Sequence, residues 1–207
     1  MREKRRALVL ASSSPRRREL LAAAGFEFEI AEPDIDEVAG PGEAPEAQAR
    51  RLAGDAGVGD AELALEKAQA VASRVPEESC VLAADTLVVV DEDVLGKPRD
   101  PDEAVEMMLR IQGRTHRVLT GFAFVVRALG VVESDVVESV VRMHAVDRDT
   151  ARAYARSGEP LDKAGAYAAQ GEGGRFVAGI SGSRSNVIGL PMEAVVARLA
   201  GLGVAPE

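Results

Sequence analysis

The run CVLAADTLVVV, from Cys80 to Val90, places one polar pair between two short stretches of apolar residues. Such stretches, rich in β-branched residues, are typical of buried strands. We therefore predict two strands, 80–84 and 87–90, with Asp85 and Thr86 between them. Burying an isolated carboxylate among apolar side chains costs several kcal/mol. We expect Asp85 to be paired with an arginine, bound to a metal or placed at the edge of a cleft.

Outward from this run, the spacing of apolar residues alternates between the two-residue period of strands and the 3.6-residue period of helices, which predicts an α/β fold. We expect further strands at 7–11, 26–31, 176–180 and 185–188, and an antiparallel hairpin of 115–127 with 131–144. We expect helices at 15–24, 100–112, 147–157 and 191–202, a short helix or turn at 161–169, and two helices within 46–75, divided by a turn around Gly54, Gly57 and Gly59.

The composition limits the class of protein. The chain has 207 residues, 46% of them hydrophobic, and a net charge of −9. This predicts one folded domain over 1–207 and argues against nucleic acid as a partner, since general binding to it needs many basic side chains on phosphates. No apolar run approaches the roughly 20 residues of a membrane helix, and the run at 7–11 is too short for a signal peptide. The single cysteine, Cys80, cannot form an internal disulfide, so we expect a cytoplasmic protein with no membrane partner.

A segment rich in serine and arginine, 12–18, begins the first predicted helix. Arginines in the first turn of a helix are unfavourable by roughly 0.3 to 1 kcal/mol each, because the helix N-terminus already carries partial positive charge. A bound anion would reverse that sign, so Ser12, Arg16 and Arg17 are candidates for binding an oligophosphate. The alternative is a solvated basic helix start.

A divalent metal site is the second candidate. The loop 32–45 contains DIDE at 34–37, and Glu37 with Asp85 would supply two hard oxygen ligands, which suit Mg²⁺ beside substrate phosphates. Taken alone, an acidic loop is usually only solvated. Lys67 and Lys97, each taken singly, are best explained as surface lysines.

The other polar residues give weaker signals. His116 and His144 lie in strand segments without a second histidine or cysteine nearby, so we expect structural histidines and no zinc site. We expect Cys80 in the core. The glycines around Glu172 predict a tight loop close to a ligand or to a neighbouring backbone.

Nine short motifs occur together in a fixed order. They are LASSSPRR at 10–17, DIDE at 34–37, LEKA at 65–68, ADT at 84–86, GKP at 96–98, TG at 120–121, LDKAGAY at 161–167, QG at 170–171 and VIGLP at 187–191. Together they resemble the Maf family of nucleotide pyrophosphatases, and the resemblance covers residues 8 to about 202. No single motif is decisive, but nine in this order are not expected by coincidence.

The resemblance implies a mixed central β-sheet flanked by helices, with two lobes around a cleft, similar to the inosine triphosphate pyrophosphatases. It implies a hydrolase that converts a nucleoside triphosphate and water to the monophosphate and pyrophosphate. The cofactor would be a divalent cation, Mg²⁺ or alternatively Mn²⁺ or Co²⁺, and the assembly a homodimer.

The resemblance also implies a role for each residue marked above. Phosphates would be bound by Ser12, Arg16, Arg17, Lys67 and Lys97. The metal would be bound by Glu37 and Asp85, and Asp85 would be the general base, with Glu37 and Lys97 completing the catalytic group. Whether Asp85 takes the proton or only binds metal is left open by the sequence.

Three positions near the base divide the family. Here they are Arg16, Thr86 and Gln170, which resemble the branch that acts on dTTP and UTP. The resemblance therefore implies pyrimidine triphosphates, including 5-substituted uridine triphosphates, and a house-cleaning role against non-standard nucleotides. The chain departs from the family pattern by a glycine-rich insertion around 54–60. We expect a surface elaboration there, with a changed cleft rim or dimer contact as the alternative.

Two other functions stay open. One is a purine-directed pyrophosphatase that acts on 7-methyl-GTP, which a panel of nucleotides would distinguish. The other is a non-catalytic regulator of cell division, in keeping with the septum phenotype behind the family's name. Glu37, Lys67, Asp85 and Lys97 argue against the second, because a pure binding protein does not need a metal and phosphate site.

Overall fold

The computed structural model describes residues 5–33, 58–91 and 93–206. The strands in these ranges are Leu8–Leu10 (β1), Glu29–Ile30 (β2), Cys80–Val90 (β3), Asp93–Leu95 (β4), Thr115–Val126 (β5), Val131–Met143 (β6) and Val177–Ser181 (β7). The helices are Pro15–Ala23 (α1), Val58–Ala72 (α2), Pro101–Ile111 (α3), Arg148–Arg156 (α4), Arg184–Ile188 (α5) and Met192–Gly201 (α6). Short 3-10 segments occur at Arg127–Leu129, Glu159–Asp162, Ala164–Ala166 and Gly171–Phe176.

The strands form one mixed sheet in the order β2-β1-β3-β5-β6-β7, and β4 pairs with β3 outside this path. The first three strands in this order are parallel to one another, whereas β5, β6 and β7 each run antiparallel to the preceding strand. The predicted α/β fold with a mixed central sheet is confirmed. The predicted hairpin is also confirmed, as β5 and β6.

The two strands predicted at 80–84 and 87–90 are one continuous strand, β3. The prediction of a break was wrong, because Asp85 and Thr86 both stay in the ladder, opposite Gly121 and Thr120 of β5. Their side chains are half-buried, whereas residues 80–84 and 88–90 are fully buried. A polar pair is tolerated inside the strand because this part of it reaches solvent.

The edge of β3 that faces away from β5 explains this exposure. Along that edge, residues 80–82 pair with β1 and residues 88–90 pair with β4. On the same edge, no strand in the described ranges pairs with the stretch between them, 83–87. We call this stretch the gap; it leaves an opening in the sheet at the polar pair.

The hydrophobic core has two halves along β3. Around the first half, Leu82 packs with residues of α1 and α6 on one face of the sheet, and Ala83 packs with residues of α2 on the other. Around the second half, Val88 packs with residues of α3 and α4, including Met108 and Tyr154. The halves correspond to the two expected lobes, and they meet at the gap.

Residues 185–188 form a helix, α5, so the strand predicted there was wrong. The Ser183 side chain accepts a hydrogen bond from Asn186 N at 3.2 Å and caps a single helical turn. Gly189, with φ of 130°, ends that turn. A five-residue helix is too short for its apolar period to differ from that of a strand.

Other predicted boundaries also differ. The strand expected at 26–31 is reduced to Glu29–Ile30, and β4 was not predicted. Helix α2 begins at Val58, so Gly59 lies inside a helix and not in the expected turn. Residues 46–57 of that region are outside the described ranges.

Most helix starts were predicted correctly. The side chain of Asp100 accepts a hydrogen bond from Glu103 N at 2.8 Å and caps α3. Pro15 is the first residue of α1, although the side chain of Ser14 makes no capping hydrogen bond. None of the helices described here is long and apolar enough to cross a membrane.

Candidate active site

The gap holds an ion pair. Lys67 Nζ lies 2.9 Å from Asp85 Oδ1, with the Lys67 side chain 5% exposed and that of Asp85 20% exposed. The pair forms because α2 packs against the face of the sheet to which Asp85 points, with Ala64 and Ala68 of α2 fully buried in that contact. An ammonium group this deeply buried needs an anionic partner. Each side chain therefore fixes the other at the opening of the sheet.

On the opposite face of β3, Arg17 joins three elements. It donates from Nε to Gly189 O at 2.9 Å, from Nη1 to Ser12 Oγ at 3.1 Å and from Nη2 to Thr86 Oγ1 at 3.2 Å. Consecutive strand residues point to opposite faces, so Asp85 and Thr86 lead to the two sides of the same gap. The segment predicted to bind phosphate is therefore placed beside the polar pair of β3.

Behind Thr86 lies a buried polar network that the sequence analysis missed. Thr86 Oγ1 is 3.0 Å from Thr120 Oγ1, which is 3.2 Å from the carbonyl oxygen of Asn186. Each hydroxyl has one proton to donate, and the other acceptor within reach of Thr86, Gly189 O, is 3.5 Å away. These distances favour donation from Thr86 to Thr120 and from Thr120 to Asn186. The Thr86 oxygen then acts as an acceptor toward Arg17 and the gap.

Asn186 anchors this network. It is fully buried, and its Nδ2 donates to Val118 O at 3.1 Å and to Ser139 Oγ at 2.9 Å. It therefore holds α5, and the Gly189 carbonyl that follows, against β5 and β6. Thr120 belongs to one of the nine motifs, but only the register of β5 against β3 shows that it lies opposite Thr86.

Arg16 contacts a different part of the protein from Arg17. Its Nη1 lies 3.0 Å from Asp162 Oδ2, and Lys163 Nζ lies 2.6 Å from Asp162 Oδ1. Partial burial raises the pKa of Asp162, but the hydrogen bonds from Lys163 and Arg16 outweigh this effect and hold the pKa below its ordinary value. The carboxylate therefore stays ionised between two cations.

Gln170 is exposed and precedes the 3-10 segment Gly171–Phe176. Within the described part of the chain its side chain makes no hydrogen bond. The loop that follows it is hydrogen-bonded to the Glu159 carboxylate, because Gly173 N donates to Glu159 Oε2 at 3.0 Å. A Cβ atom at Gly173 would lie 2.7 Å from Ala168 O, so the predicted close approach to a neighbouring backbone is confirmed.

The other predicted phosphate ligands in the described ranges are Ser12 and Lys97. Ser12 is buried, and its Oγ also accepts from Ser14 N at 3.2 Å. Lys97 is exposed in the loop after β4, next to Gly96, whose carbonyl accepts from Gly165 N at 3.0 Å. Glu37, with the whole DIDE loop, lies outside the described residues, so its place in the site stays a prediction.

Asp85 is the predicted metal ligand that the structure describes. Its Oδ2 makes no hydrogen bond within the described ranges, and a carboxylate oxygen is a ligand that Mg²⁺ prefers. In those ranges no three His, Cys, Asp or Glu side chains gather into a metal site. The residues present therefore fit a metal held by Asp85 together with ligands from elsewhere, such as Glu37, substrate phosphates or water.

Lysines are few in this chain, whose net charge is −9. The chain has four lysines, and three of them, Lys67, Lys97 and Lys163, lie on α2, on the loop after β4 and on the turn that contacts Arg16. Of these, Lys67 lies at the gap, where its ammonium contacts Asp85.

The predictions for His116 and Cys80 are confirmed, whereas His144 follows the end of β6 and is exposed, so the prediction of a structural histidine in a strand was wrong there. His116 is buried, with Nε2 2.8 Å from the Tyr167 hydroxyl, and burial lowers its pKa to about 4. Cys80 is buried, and burial raises the pKa of its thiol to about 12. Both are structural residues of the core.

The described part of the chain thus forms a mixed sheet that is open beside a lysine–carboxylate pair, with Arg17 on its other face. A profile of the family described as Maf-like protein matches residues 7–202. The chain belongs to the Maf family.

Several similar proteins are named dTTP/UTP pyrophosphatase. A dTTP/UTP pyrophosphatase of Myxococcus xanthus is 50% identical over 197 residues, covering 95% of this chain and 93% of the relative. Those of Desulfotalea psychrophila and Symbiobacterium thermophilum are 46% and 45% identical, covering 93% and 95% of this chain and 92% and 94% of the relatives. A solved HAM1 protein from Coxiella burnetii matches 67% of this chain and 73% of its own, with 15% identity and a TM-score of 0.42.

Proposed function

We propose that this chain hydrolyses dTTP and UTP, and 5-substituted uridine triphosphates, to the nucleoside monophosphate and pyrophosphate. The observation that carries the proposal is the Lys67–Asp85 pair in the gap of β3, with 2.9 Å between Nζ and Oδ1. Membership of the Maf family and relatives 45–50% identical that are named dTTP/UTP pyrophosphatase support it. The physiological role would be removal of non-standard nucleotides.

In this reaction, water attacks the α-phosphorus, and the bond from that phosphorus to the oxygen bridging the β-phosphorus breaks. Asp85 accepts a proton from the attacking water. Lys67 fixes the plane of the carboxylate. Pyrophosphate leaves with the bridging oxygen, and the monophosphate keeps the oxygen of the water.

The cations around the gap bind the phosphates and stabilise the charge that develops as the bond breaks. Arg17 is fixed in advance by its bonds to Ser12, Thr86 and Gly189, so it loses little freedom when a phosphate binds. We assign Lys97 to phosphate binding as well. Of the two roles that the resemblance implies for Arg16, we retain the one at the base. A divalent cation bound by Asp85 and Glu37, Mg²⁺ in our proposal, would neutralise charge on the phosphates and the leaving group.

For the base, we propose that Arg16, Thr86 and Gln170 select pyrimidines. A guanidinium and an amide supply hydrogen-bond donors for the carbonyl oxygens of uracil and thymine. Both side chains reach solvent, Arg16 in part and Gln170 fully. We propose further that the protein is cytoplasmic and forms a homodimer, which light scattering after size exclusion would test.

The test is product chromatography after incubation with Mg²⁺ and, separately, dTTP, UTP, CTP, GTP, ITP and 7-methyl-GTP. Monophosphate and pyrophosphate from dTTP and UTP are expected. Turnover of 7-methyl-GTP alone would keep the reaction and reject the pyrimidine specificity. No turnover of any nucleotide with Mg²⁺, Mn²⁺ or Co²⁺ would favour the non-catalytic regulator of cell division.

A further inference from the structure

The 3-10 turn Glu159–Asp162 lies between two residues that the proposed function assigns to the base. At its end, Asp162 accepts a hydrogen bond from Arg16 at 3.0 Å. At its start, the Glu159 carboxylate accepts a hydrogen bond from Gly173 N at 3.0 Å, in the loop that carries Gln170. One short turn is therefore in contact with Arg16 and with the Gln170 loop.

The contact between Asp162 and Arg16 fixes geometry more than it adds stability. The Asp162 side chain is 62% exposed and that of Arg16 is 28% exposed, and pairs at this exposure contribute little to folding. A guanidinium is planar, however, so a carboxylate on one of its nitrogens sets the direction of the remaining N–H groups. Asp162 therefore controls which way Arg16 presents its donors.

The contact between Glu159 and the Gln170 loop depends on glycines. A Cβ atom at Gly171, where φ is +61°, would lie 2.1 Å from Glu159 Oε1. At Gly173, a Cβ atom would lie 2.4 Å from the Tyr154 hydroxyl. The backbone of this loop therefore packs closely around the Glu159 carboxylate. Gln170 is the residue directly before Gly171. The position of Gln170 follows from that of Glu159.

Lys163 connects the two ends of the turn. Its Nζ donates to the carbonyl oxygen of Glu159 at 2.5 Å and to Asp162 Oδ1 at 2.6 Å, and its side chain is only 13% exposed. The lysine therefore holds the backbone at the start of the turn and the carboxylate at its end in one arrangement.

We infer that Glu159, Asp162 and Lys163 are specificity-determining positioning residues, which hold Gln170 and Arg16 at a fixed separation on the nucleobase. This inference rests on the proposed function. A fixed separation between a guanidinium and an amide suits the carbonyl groups of a single pyrimidine ring and excludes the larger purine. None of the three residues needs to touch the reacting phosphates.

The test compares Asp162→Ala and Glu159→Ala with the wild-type enzyme. We expect the ratio of kcat/KM for dTTP to kcat/KM for GTP to fall about tenfold in each, with kcat for dTTP within about threefold, because Asp85 and Lys67 are untouched. Inhibition by dTMP should weaken about tenfold, and inhibition by pyrophosphate should not change. The control is Asp149→Ala, which removes a charge from a side chain that is 96% exposed on α4.

Double variants test whether the residues act through their partners. In an Arg16→Ala background, Asp162→Ala should no longer change the dTTP to GTP ratio, and Glu159→Ala should have no further effect in a Gln170→Ala background. An unchanged ratio in both single variants, with wild-type activity on dTTP, would overturn this inference alone. Wild-type protein without dTTP turnover would overturn the proposed function and this inference with it.

Discussion

Lys67 Nζ and Asp85 Oδ1 are 2.9 Å apart across the contact between α2 and β3, with the lysine almost wholly buried and the carboxylate open to the gap. A buried ammonium is stable here because the carboxylate balances its charge. Lys67 holds Oδ1 of Asp85, whereas Oδ2 makes no hydrogen bond within the described ranges. The proposed reaction uses this carboxylate beside the substrate phosphates.

Asp85→Asn should abolish turnover and lower the thermal unfolding midpoint without unfolding the protein, because it removes the negative charge beside the buried Lys67 ammonium. The amide oxygen of asparagine can still accept from Lys67, but the side chain can no longer take a proton from water. We expect kcat for dTTP to fall by about 10² to 10⁴-fold. Steady-state kinetics and the thermal unfolding midpoint would measure both effects. A variant that keeps a rate close to that of the wild type would remove Asp85 from the mechanism.

Thr120→Val should disturb the site through Thr86. The substitution keeps the shape of the side chain and removes the hydroxyl to which Thr86 donates, so the Thr86 hydroxyl becomes free to rotate. We expect a loss of about 1 kcal/mol in the free energy of unfolding and a several-fold rise in KM for dTTP. Thr120→Ser, which keeps the hydroxyl, is the matched control. Equal kinetics for the valine and serine variants would exclude a role for this network.

Substituting all three base-proximal residues, as Arg16→Ala, Thr86→Val and Gln170→Glu, should weaken the use of dTTP more than it weakens the fold. The triple variant loses donors for the pyrimidine carbonyl groups and gains a carboxylate beside them. We expect kcat/KM for dTTP to fall at least about tenfold relative to that for GTP. If the substrate profile does not change, specificity lies at other residues.

His116 should make the fold sensitive to acid. Burial lowers its pKa from 6.5 to about 4, so between these values the unfolded chain binds a proton that the folded protein does not. The contribution of His116 to the free energy of unfolding does not change above pH 6.5. It decreases as the pH falls toward 4, and the total loss is about 3 kcal/mol. Urea unfolding from pH 7 to pH 4 would measure this loss.

The matched variants for this prediction are His116→Gln and His144→Gln. Glutamine at 116 can keep a hydrogen bond to the Tyr167 hydroxyl without titrating, so its stability should depend less on pH. His144 is exposed, so His144→Gln should leave the pH dependence of the free energy of unfolding unchanged. Identical pH profiles for the wild type and His116→Gln would show that another group causes the sensitivity to acid.

The sequence predicted the elements whose signals are local. Asp100 and Glu103 marked the start of α3, and Gly130 between two β-rich runs marked the β5–β6 hairpin, because capping and turn chemistry depend on neighbouring residues only. The sequence could not show that Asp85 and Thr86 lie within one strand, since β5 and the gap decide that point from more than 30 residues away.

The same limit applies to the site. The residues Asp85, Lys67, Arg16 and Arg17 were identified from their types and from the family motifs. Thr120, Asn186, Glu159 and Asp162 received no role, because each acts by contacting a residue that is distant in the chain. Their contacts depend on strand register and on the packing of short turns, which periodicity does not encode.

The most direct test of the central claim is hydrolysis of dTTP in ¹⁸O-labelled water with Mg²⁺, followed by mass spectrometry of both products. Attack of water on the α-phosphorus predicts one ¹⁸O atom in dTMP and none in pyrophosphate, with neither product formed by Asp85→Asn. Label in pyrophosphate, or thymidine diphosphate and phosphate as the products, would contradict the account.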